Sequence, residues 1–319
     1  MEKDRTEHEL LSVVAYLYYY ADMNQADIAD RLFISRSTVS RLIKKARSSG
    51  VVELKINEPW QRNLVLEDRL KSILGVSGAR VLAGDSSIPD DTALTMLGEM
   101  VSFYISCNME SSDILGISWG NTFSRVVDSI VSGRRIPFTV VPIMGSLTWP
   151  KVNPESTEIN YRFSKSYSAK FVPLDAPLYA DDTETFTNLY RKSDVAAALE
   201  TARSADMVLT GVASIDDIIE ENKTSKAALD KLKQLGCIGR IGGHLYDISG
   251  CEIEGNFKDL HIGLSYEELK NIGNVMCVAS HIKKAEAVYG AVKSGIVDSL
   301  FITESLAEKI LSIAADRRV

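Results

Sequence analysis

The sequence has few cysteines, and none of them is arranged to bind a metal. Its 319 residues contain Cys107, Cys237, Cys251 and Cys277, with no CxxC pair and no histidine at metal-ligand spacing. This pattern disfavours both a disulfide-stapled secreted domain and a structural zinc site. We therefore expect four reduced thiols, no metal site and no cofactor.

The sequence also lacks any apolar run long enough to cross a membrane, and six of its first nine residues are charged, unlike a signal peptide. Hydrophobic residues make up 45% of the chain and charged residues 25%, as in an ordinary globular protein. These features predict a cytoplasmic protein. A chain of this length is expected to form one small and one large domain.

The chain as a whole has no excess of positive charge. Its net charge of −7 argues by itself against binding to nucleic acid. Residues 1–56, however, contain nine basic and eight acidic residues, a net charge of +1, so the remainder carries −8. An acidic body with a locally basic head is expected to bind DNA through the head alone.

Residues 24–47 have the pattern of a helix-turn-helix. Ile28, Ala29 and Leu32 would share one face of a first helix, and the helical spacing repeats after a short break at residues 33–35. Ser35 is placed to cap the second helix. The position of Phe33 usually holds glycine in this motif, because the turn often requires a positive φ there.

The second helix would present a basic, hydroxyl-rich face of the kind that enters the DNA major groove. From Arg31 to Lys55 there are seven basic residues against one acid. The alternative is an ordinary solvent-exposed face on a pair of amphipathic helices. The candidate DNA-binding residues are Gln25, Arg36, Ser37, Thr38, Ser40, Arg41, Lys44 and Lys45.

Other segments complete the predicted DNA-binding domain, residues 1–56, and its connection. Residues 7–20 form an apolar helix that would support the motif, and residues 51–56 alternate as a short strand, the wing of a winged helix-turn-helix. Residues 57–78 would form a linker, with a connecting helix at 61–74.

From residue 79 to 319, short apolar runs alternate with helical stretches. This pattern predicts an α/β fold with an open, Rossmann-like parallel sheet and helices on both faces. The predicted strands are 79–84, 113–118, 138–144, 205–212, 275–280 and 297–302. The predicted helices are 90–105, 121–131, 192–203, 223–235, 283–293 and 304–314.

The residues that follow these strands predict a ligand site, because ligands of such sheets bind beyond the carboxyl ends of the strands. Gly120, Asn121 and Thr122 would begin a helix, which is a good site for an anion. Small residues also follow the next strands, at Gly145-Ser146 and Ser214, and Lys284 begins a later helix. A small residue after a single strand is explained more simply by a turn, but the repeated pattern after several strands suggests a phosphate site.

Two segments do not fit the alternating pattern. Residues 145–160 contain two prolines among polar residues and predict a mobile loop. Residues 237–256 are rich in glycine and include Arg240, His244 and Asp247. The simpler interpretation of His244 is a structural role, whereas Asp247 could reach a ligand hydroxyl.

Taken together, these motifs resemble the SorC family of bacterial transcription regulators, which includes deoxyribonucleoside and central glycolytic regulators. The resemblance covers nearly the whole chain and depends on the helix-turn-helix and on the segments LGISWGNTF, VVPIMGS, LTGVASID, IGGHLYDISG and KKAEAVYGAVKSGIVDSLFITE. It implies a sugar-phosphate-sensing domain similar to sugar-phosphate isomerases such as glucosamine-phosphate deaminase. It also implies a homotetramer, a dimer of dimers.

The resemblance assigns roles to individual residues. Gly120, Asn121 and Thr122 would hold the phosphate with help from Lys284. The sugar end would be lined by Gly145, Ser146, Ser214 and Asp247. The chain departs from the family at Ser280-His281, where two glycines are common, and at Arg240, where an acid is common. Arg240 could therefore add a second anion contact.

Three functions remain open on the sequence. The favoured one is a DNA-binding regulator of a carbohydrate-metabolism operon, controlled by a phosphorylated sugar. The second is a sugar-phosphate isomerase or deaminase with a DNA-binding head, since fold does not fix function. It would need a general base with a partner, for which Asp247 and His244 are the candidates. The third, an architectural DNA-binding protein, leaves the convergent strand ends without a role.

Overall fold

A computed structural model describes residues 2–53, 60–130, 135–146, 154–222 and 226–317. Within these ranges it does not describe the side chains of residues 2–6, 121–122, 154–157, 219–222, 226–229 and 256–257. The chain divides into two compact units, Met1–Pro59 and Trp60–Val319. Among the described residues, no helix has both the length and the apolarity that a membrane span requires.

The smaller unit contains the predicted helix-turn-helix. Its elements are α1 (Glu2–Ala15), a π-helical turn (Tyr16–Tyr20), α2 (Gln25–Leu32) and α3 (Arg36–Ser48). The apolar stripes of the three helices meet in one core that includes Leu11, Val14, Ile28, Val39 and Leu42. The predicted apolar supporting helix is therefore confirmed.

Local hydrogen bonds fix the ends of α2 and α3. The Asn24 side chain accepts the backbone N–H of Ala26 and Asp27, and Ser35 Oγ accepts the N–H of Thr38 at 3.1 Å. These are N-caps, which satisfy donors that a helix cannot satisfy internally. The predicted cap at Ser35 is confirmed.

Phe33 occupies the left-handed position predicted for the turn. Its φ is 55°, and its side chain is 94% exposed. A residue with a Cβ is disfavoured in this conformation, and an exposed ring gains no packing in return. The predicted wing, residues 51–56, is described only over 51–53, which do not form a strand, and the rest lies outside the described residues.

The predicted connecting helix is α4 (Leu64–Leu74), and it is part of the larger unit. Leu66 and Leu70 are buried in the core of that unit. The buried Glu67 carboxylate accepts the N–H of Val81 at 2.9 Å and pairs with Arg62. The sequence predicted residues 57–78 as a linker between the domains. In the structure, these contacts join the helix to the first strand of the sheet.

Seven parallel strands form the main sheet, in the order β1-β10-β9-β5-β2-β3-β4. All six predicted strands are confirmed, whereas β4, with only two residues, had no pattern to reveal it. The strands are β1 (Gly78–Leu82), β2 (Ile114–Ile117), β3 (Thr139–Pro142), β4 (Lys170–Phe171), β5 (Met207–Thr210), β9 (Val275–Ala279) and β10 (Ser299–Thr303).

Helices cover both faces of this sheet, as predicted. Successive strand residues point to opposite faces: Met276 and Val278 face one core, and Val275 and Cys277 face the other. The helices are α5 (Asp90–Asn108), α6 (Asn121–Asp128), α7 (Pro154–Tyr167), α8 (Thr183–Tyr190), α9 (Ser193–Arg203), α10 (Ile215–Asn222), α11 (Lys226–Gln234), α12 (Asn256–Asp259), α13 (Tyr266–Lys270), α14 (Ala285–Lys293) and α15 (Glu304–Asp316).

The glycine-rich segment forms two strands of a second, antiparallel sheet, and residues 213–214 add the third. These are β6 (Ala213–Ser214), β7 (Cys237–Ile241) and β8 (His244–Asp247), in that order. The turn between β7 and β8 is Gly242-Gly243, with φ angles of 56° and 94°. Glycine is required there because both residues have a positive φ.

The prediction of a mobile loop over residues 145–160 is wrong for its second half. Helix α7 begins at Pro154, and Ile159 and Phe163 are buried against the sheet. Proline is favoured in the first turn of a helix, where its missing N–H costs nothing, so it marks a helix start here. Residues 147–153 lie outside the described residues.

We predict that Phe33→Gly stabilises the smaller unit by about 0.5–1 kcal/mol, because glycine adopts a positive φ without the steric cost of a Cβ. Urea unfolding of the full chain, in which the transition of the smaller unit is followed, measures the change in its free energy of unfolding.

Phe33→Ala is the matched control for this prediction. It removes the exposed ring but keeps the Cβ, so the gain should be absent. Equal stabilisation by both variants would show that the ring, and not the backbone, is unfavourable.

Candidate functional site

A cleft of about 610 Å³, including its open mouth, lies at the carboxyl ends of the central strands β2 and β5. This is the edge at which ligands of parallel sheets bind. The loops after three strands, the β7–β8 hairpin and the start of α14 all contribute to it. Its lining residues are Ser118, Trp119, Gly120, Phe123, Met144, Thr210, Gly211, Val212, Ala213, Asp217, Arg240, Gly242, Gly243 and Lys284.

The backbone at Gly120 leads from β2 into α6 beside this cleft. Gly120 has a φ of 146°, a conformation that favours glycine, and α6 begins at the next residue. The unsatisfied N–H groups and the positive dipole end of a helix at this place suit an anion. The side chains of Asn121 and Thr122 lie outside the described side chains.

Lys284 lies in the cleft and faces the carboxylate of Asp217. Its ammonium donates a hydrogen bond to the Val212 carbonyl at 3.0 Å and lies 3.4 Å from Asp217 Oδ2. A positive charge in the first turn of a helix is unfavourable unless a nearby negative charge compensates it. In the structure, Asp217 supplies that negative charge.

Asp217 is held in place by the start of its own helix. Its Oδ2 accepts the Ser214 N–H at 2.7 Å and the Ser214 hydroxyl at 2.9 Å, while Ser214 Oγ accepts the Asp217 N–H. Burial raises the pKa of Asp217, but the charge of Lys284 and the Ser214 hydrogen bonds outweigh it, so the pKa lies below its ordinary value. The carboxylate is therefore ionised at neutral pH.

Arg240 is a second cation in the cleft. It lies on the central strand of the small sheet, between Ala213 and Leu245, and only 7% of it is exposed. Its guanidinium carbon is 6.0 Å from the centre of the Trp119 ring. The Trp119 indole N–H donates to the Gly145 carbonyl at 2.8 Å. The aromatic surface behind the guanidinium is thus fixed by a hydrogen bond.

Three of the predicted effector residues lie near the cleft without lining it. Gly145 holds Trp119 through its carbonyl, and a Cβ there would lie 2.1 Å from the Pro177 oxygen. Ser146 exchanges backbone hydrogen bonds with residues 176 and 178. Ser214 caps α10. Gly145 and Ser214 therefore support the lining residues Trp119 and Asp217.

Asp247 lies at the far end of β8, away from the hairpin turn. Its carboxylate accepts the N–H of Ser249 and of Cys251, both at 2.9 Å, within its own turn. His244 instead bonds the Glu252 carboxylate and the Leu264 carbonyl. The two residues that an isomerase would need as base and partner are therefore engaged separately.

The two departures from the family pattern after β9 have local roles. The Ser280 carbonyl accepts the Thr303 hydroxyl, and His281 Nδ1 accepts the Lys283 N–H at the start of the helical turn that carries Lys284. These bonds fix the backbone that presents Lys284 to the cleft.

The site also contains three features that were not predicted from the sequence: Trp119, Asp217 and the Gly242-Gly243 turn. Asp217 had a detectable signal, because serine followed three residues later by an acid is a capping box at a helix start. Trp119 had none, because its contacts with Gly145 and Arg240 connect distant parts of the chain.

The outward face of α3 divides into exposed cations and cations held within the unit. Arg36, Arg41 and Lys44 are exposed and form no ion pair with the residues that the structure describes. Lys45 pairs with Glu7 of α1 and lowers its pKa through their hydrogen bond and charge. Arg47 donates to the Tyr19 hydroxyl at 2.7 Å.

The hydroxyl-bearing candidates cluster at the start of α3. Ser35 Oγ lies 2.8 Å from Ser37 Oγ and 2.7 Å from Thr38 Oγ1, and Ser40 follows one turn along. Gln25 begins α2. Together with the exposed cations, these residues form the surface expected for contacts with phosphates and base edges.

Two family profiles match the chain. One, described as "Putative sugar-binding domain", covers residues 58–312, and the other, "Sigma-70, region 4", covers residues 13–49. The first spans most of the chain and includes every residue that lines the cleft. The second covers α2 and α3.

Curated relatives match nearly end to end. The chain is similar to the transcriptional regulator LsrR of Enterobacter sp., at 27% identity over 97% of this chain and 94% of the relative. It is 25% identical to the deoxyribonucleoside regulator of Bacillus subtilis, over 97% and 99%. The sorbitol operon regulator of Klebsiella pneumoniae is 26% identical, over 95% and 97%.

Solved structures share the fold. The full-length sorbitol operon regulator SorC from Klebsiella pneumoniae matches with a TM-score of 0.71 and 24% identity, over 96% of this chain and 99% of that one. A DeoR family transcriptional regulator from Listeria monocytogenes matches with a TM-score of 0.69 and 28% identity, over 77% and 98%.

Proposed function

Since the chain belongs to the SorC family of bacterial transcription regulators, we propose that it is a DNA-binding regulator of a carbohydrate-metabolism operon, controlled by a phosphorylated sugar. The observation that carries this proposal is a cleft at the sheet edge where Lys284, Arg240 and the start of α6 meet, in a chain that also has a helix-turn-helix. Such a regulator acts on chromosomal DNA and therefore in the cytoplasm.

On the DNA side, α3 is proposed to lie in the major groove. Arg41 is suited to contact a guanine edge with two hydrogen bonds, whereas Lys44 is suited to a phosphate. Arg36, Ser37, Thr38, Ser40 and Gln25 would contact the adjacent backbone or bases. Lys45 is already paired with Glu7, so we assign it a smaller part in binding.

On the effector side, the phosphate is proposed to lie at the start of α6, against the N–H groups after Gly120 and near the Lys284 ammonium. The physical support is a set of unsatisfied donors, a positive helix end and a nearby cation. The sugar end would extend towards Arg240 and the Gly242-Gly243 turn. Relatives named for sorbitol and for deoxyribonucleosides make a sugar ligand the natural class.

We further propose a homotetramer, a dimer of dimers, on a two-fold operator. One helix-turn-helix contacts only a few base pairs, so symmetric pairing supplies the rest of the specificity. Helix α1 and its π-helical extension expose Leu10, Val13 and Tyr16, at 39%, 45% and 57%, and apolar residues of this kind favour contact with another subunit.

We predict that Arg41→Ala weakens operator binding by about 1–3 kcal/mol and relaxes specificity at one base, if Arg41 contacts a base edge. Lys44→Ala should weaken binding to all DNA about equally and reduce the salt dependence by about one ion. Gel-shift titrations on operator and random DNA at several salt concentrations measure both effects.

Lys233→Ala serves as the control for these variants, because it removes an exposed positive charge from the larger unit. It should leave operator affinity unchanged. Wild-type affinity in both Arg41→Ala and Lys44→Ala, with folding intact, would remove α3 from the DNA interface.

We predict that Lys284→Ala weakens effector binding by roughly 1.5–3 kcal/mol, because a charge-assisted hydrogen bond is lost. Operator binding without effector should barely change. Calorimetry with the best ligand from a thermal-shift screen of sugar phosphates measures the affinity.

The adjacent Lys283, which is exposed, provides the matched control. Lys283→Ala removes the same charge and should bind the effector as the wild type does. An unchanged affinity in Lys284→Ala would place the phosphate elsewhere, and Arg240 would be the next residue to test.

We predict that light scattering at micromolar concentration finds a tetramer, and that a dimer of dimers occupies one operator. The physical reason is the small number of base pairs that each α3 can contact. A monomer in solution, with and without DNA, would contradict the prediction.

A further inference from the structure

The cleft proposed for the effector phosphate already contains a negative charge. Asp217 is the only acidic side chain among the described residues that line it, and its carboxylate faces the Lys284 ammonium at 3.4 Å. A phosphate that approaches Lys284 must therefore approach Asp217 as well. The phosphate and the Asp217 carboxylate would repel each other, and the repulsion is stronger in a partly enclosed cleft than in water.

Neither partner can move aside freely. The Lys284 side chain is only 12% exposed and is also bonded to the Val212 carbonyl. The Asp217 side chain is 34% exposed and shares two hydrogen bonds with Ser214 as part of the capping box of α10. Displacing the carboxylate would break that cap, so the charge is a fixed feature of the site.

The contacts of Asp217 are divided unequally between its two oxygens. Within the described part of the chain, the bonds from Ser214 and the contact with Lys284 all fall on Oδ2. A carboxylate oxygen accepts hydrogen bonds and donates none. Oδ1 is therefore the atom that can accept a hydroxyl from a ligand in the cleft.

We propose that Asp217 is a specificity-determining residue of the effector site. Its charge disfavours a bare phosphate or a simple phosphate ester beside Lys284, and its Oδ1 favours a phosphate ester that donates a hydroxyl from a neighbouring carbon. This inference rests on the proposed function, since it assumes that the phosphate binds near Lys284. The ligand class it names is a phosphorylated polyol or sugar with a free hydroxyl next to the phosphate-bearing carbon.

The physical basis is a difference between two costs. A ligand with the hydroxyl satisfies the carboxylate and offsets the repulsion, whereas a ligand without it leaves a partly buried charge unsatisfied. Sites built to hydrogen-bond a hydroxyl reject analogues that lack it far more strongly than apolar pockets reject a missing methylene. An unfavourable element directed against the wrong ligand adds to this discrimination.

The experiment uses calorimetry on the full chain with three probes: inorganic phosphate, glycerol 1-phosphate and propyl phosphate. The last two are phosphate esters of similar size, with and without hydroxyls. In the wild type, glycerol 1-phosphate should bind at least about tenfold more tightly than propyl phosphate. In Asp217→Asn, inorganic phosphate should bind about tenfold more tightly than in the wild type, and the ratio between the two esters should fall towards one.

The control is Asp216→Asn, which removes the same charge from the adjacent, exposed residue of α10. Its affinities should equal those of the wild type, which separates a local effect from a change in net charge. Asparagine at position 217 can still accept the Ser214 N–H, so the cap is retained. If Asp217→Asn does not fold, Asp217→Ser removes the charge while keeping a hydroxyl, and the same comparison applies.

The outcomes separate this inference from the proposal on which it rests. If Lys284→Ala binds inorganic phosphate as Asp217→Asn does, or if no variant binds it at millimolar concentration, the phosphate position is wrong and both fail. If Lys284→Ala weakens phosphate binding but Asp217→Asn leaves the affinity and the ester ratio at wild-type values, only the role of Asp217 is overturned. The role of Asp217 is supported if Asp217→Asn, but not Asp216→Asn, binds inorganic phosphate more tightly than the wild type and has an affinity ratio near one for the two esters.

Discussion

The parallel pairing of β2, β5 and β9 is the constraint on which the proposed effector site depends. Leu115 pairs with Met207, and Thr210 pairs with Cys277, so the three strands end at the same edge. Because each strand is followed by a loop or helix at that edge, residues separated by more than 150 positions in the chain meet in one cleft. Trp119 and Lys284 come together in this way, and the cleft has no local origin in the sequence.

The charges within the cleft are compatible with the acidic ligand that we propose for this acidic protein. The remainder of the chain beyond the basic head carries a net charge of −8, yet the described lining includes two cations and one carboxylate. Asp217 partly neutralises Lys284, which weakens the attraction of that ammonium for an anion. The second cation, Arg240, lies against the ring of Trp119. In the function that we propose, ligand choice therefore depends on contacts among the lining residues.

The same principle applies to the helix-turn-helix. In the sequence, Arg41, Lys44 and Lys45 belong to one basic face of α3, but contacts with α1 and with the turn after it separate the basic residues of this helix into two groups. Lys45 and Arg47 are bound to Glu7 and Tyr19, which stabilises the head, while Arg41 and Lys44 stay exposed. The left-handed Phe33 between α2 and α3 is a local cost, since the turn requires a backbone conformation that phenylalanine disfavours.

The sequence by itself determined the features that depend on neighbouring residues. The caps at Asn24 and Ser35, the helical stripes and the six long strands all have short-range patterns. Only the tertiary structure decided β4 and β6, because pairing with strands distant in the chain creates them. It also placed Asp217 against Lys284 and directed the Asp247 carboxylate to N–H groups of the turn that follows it. A carboxylate has no sequence signal for the partner it will find, since that partner is chosen by the packing of elements far apart in the chain.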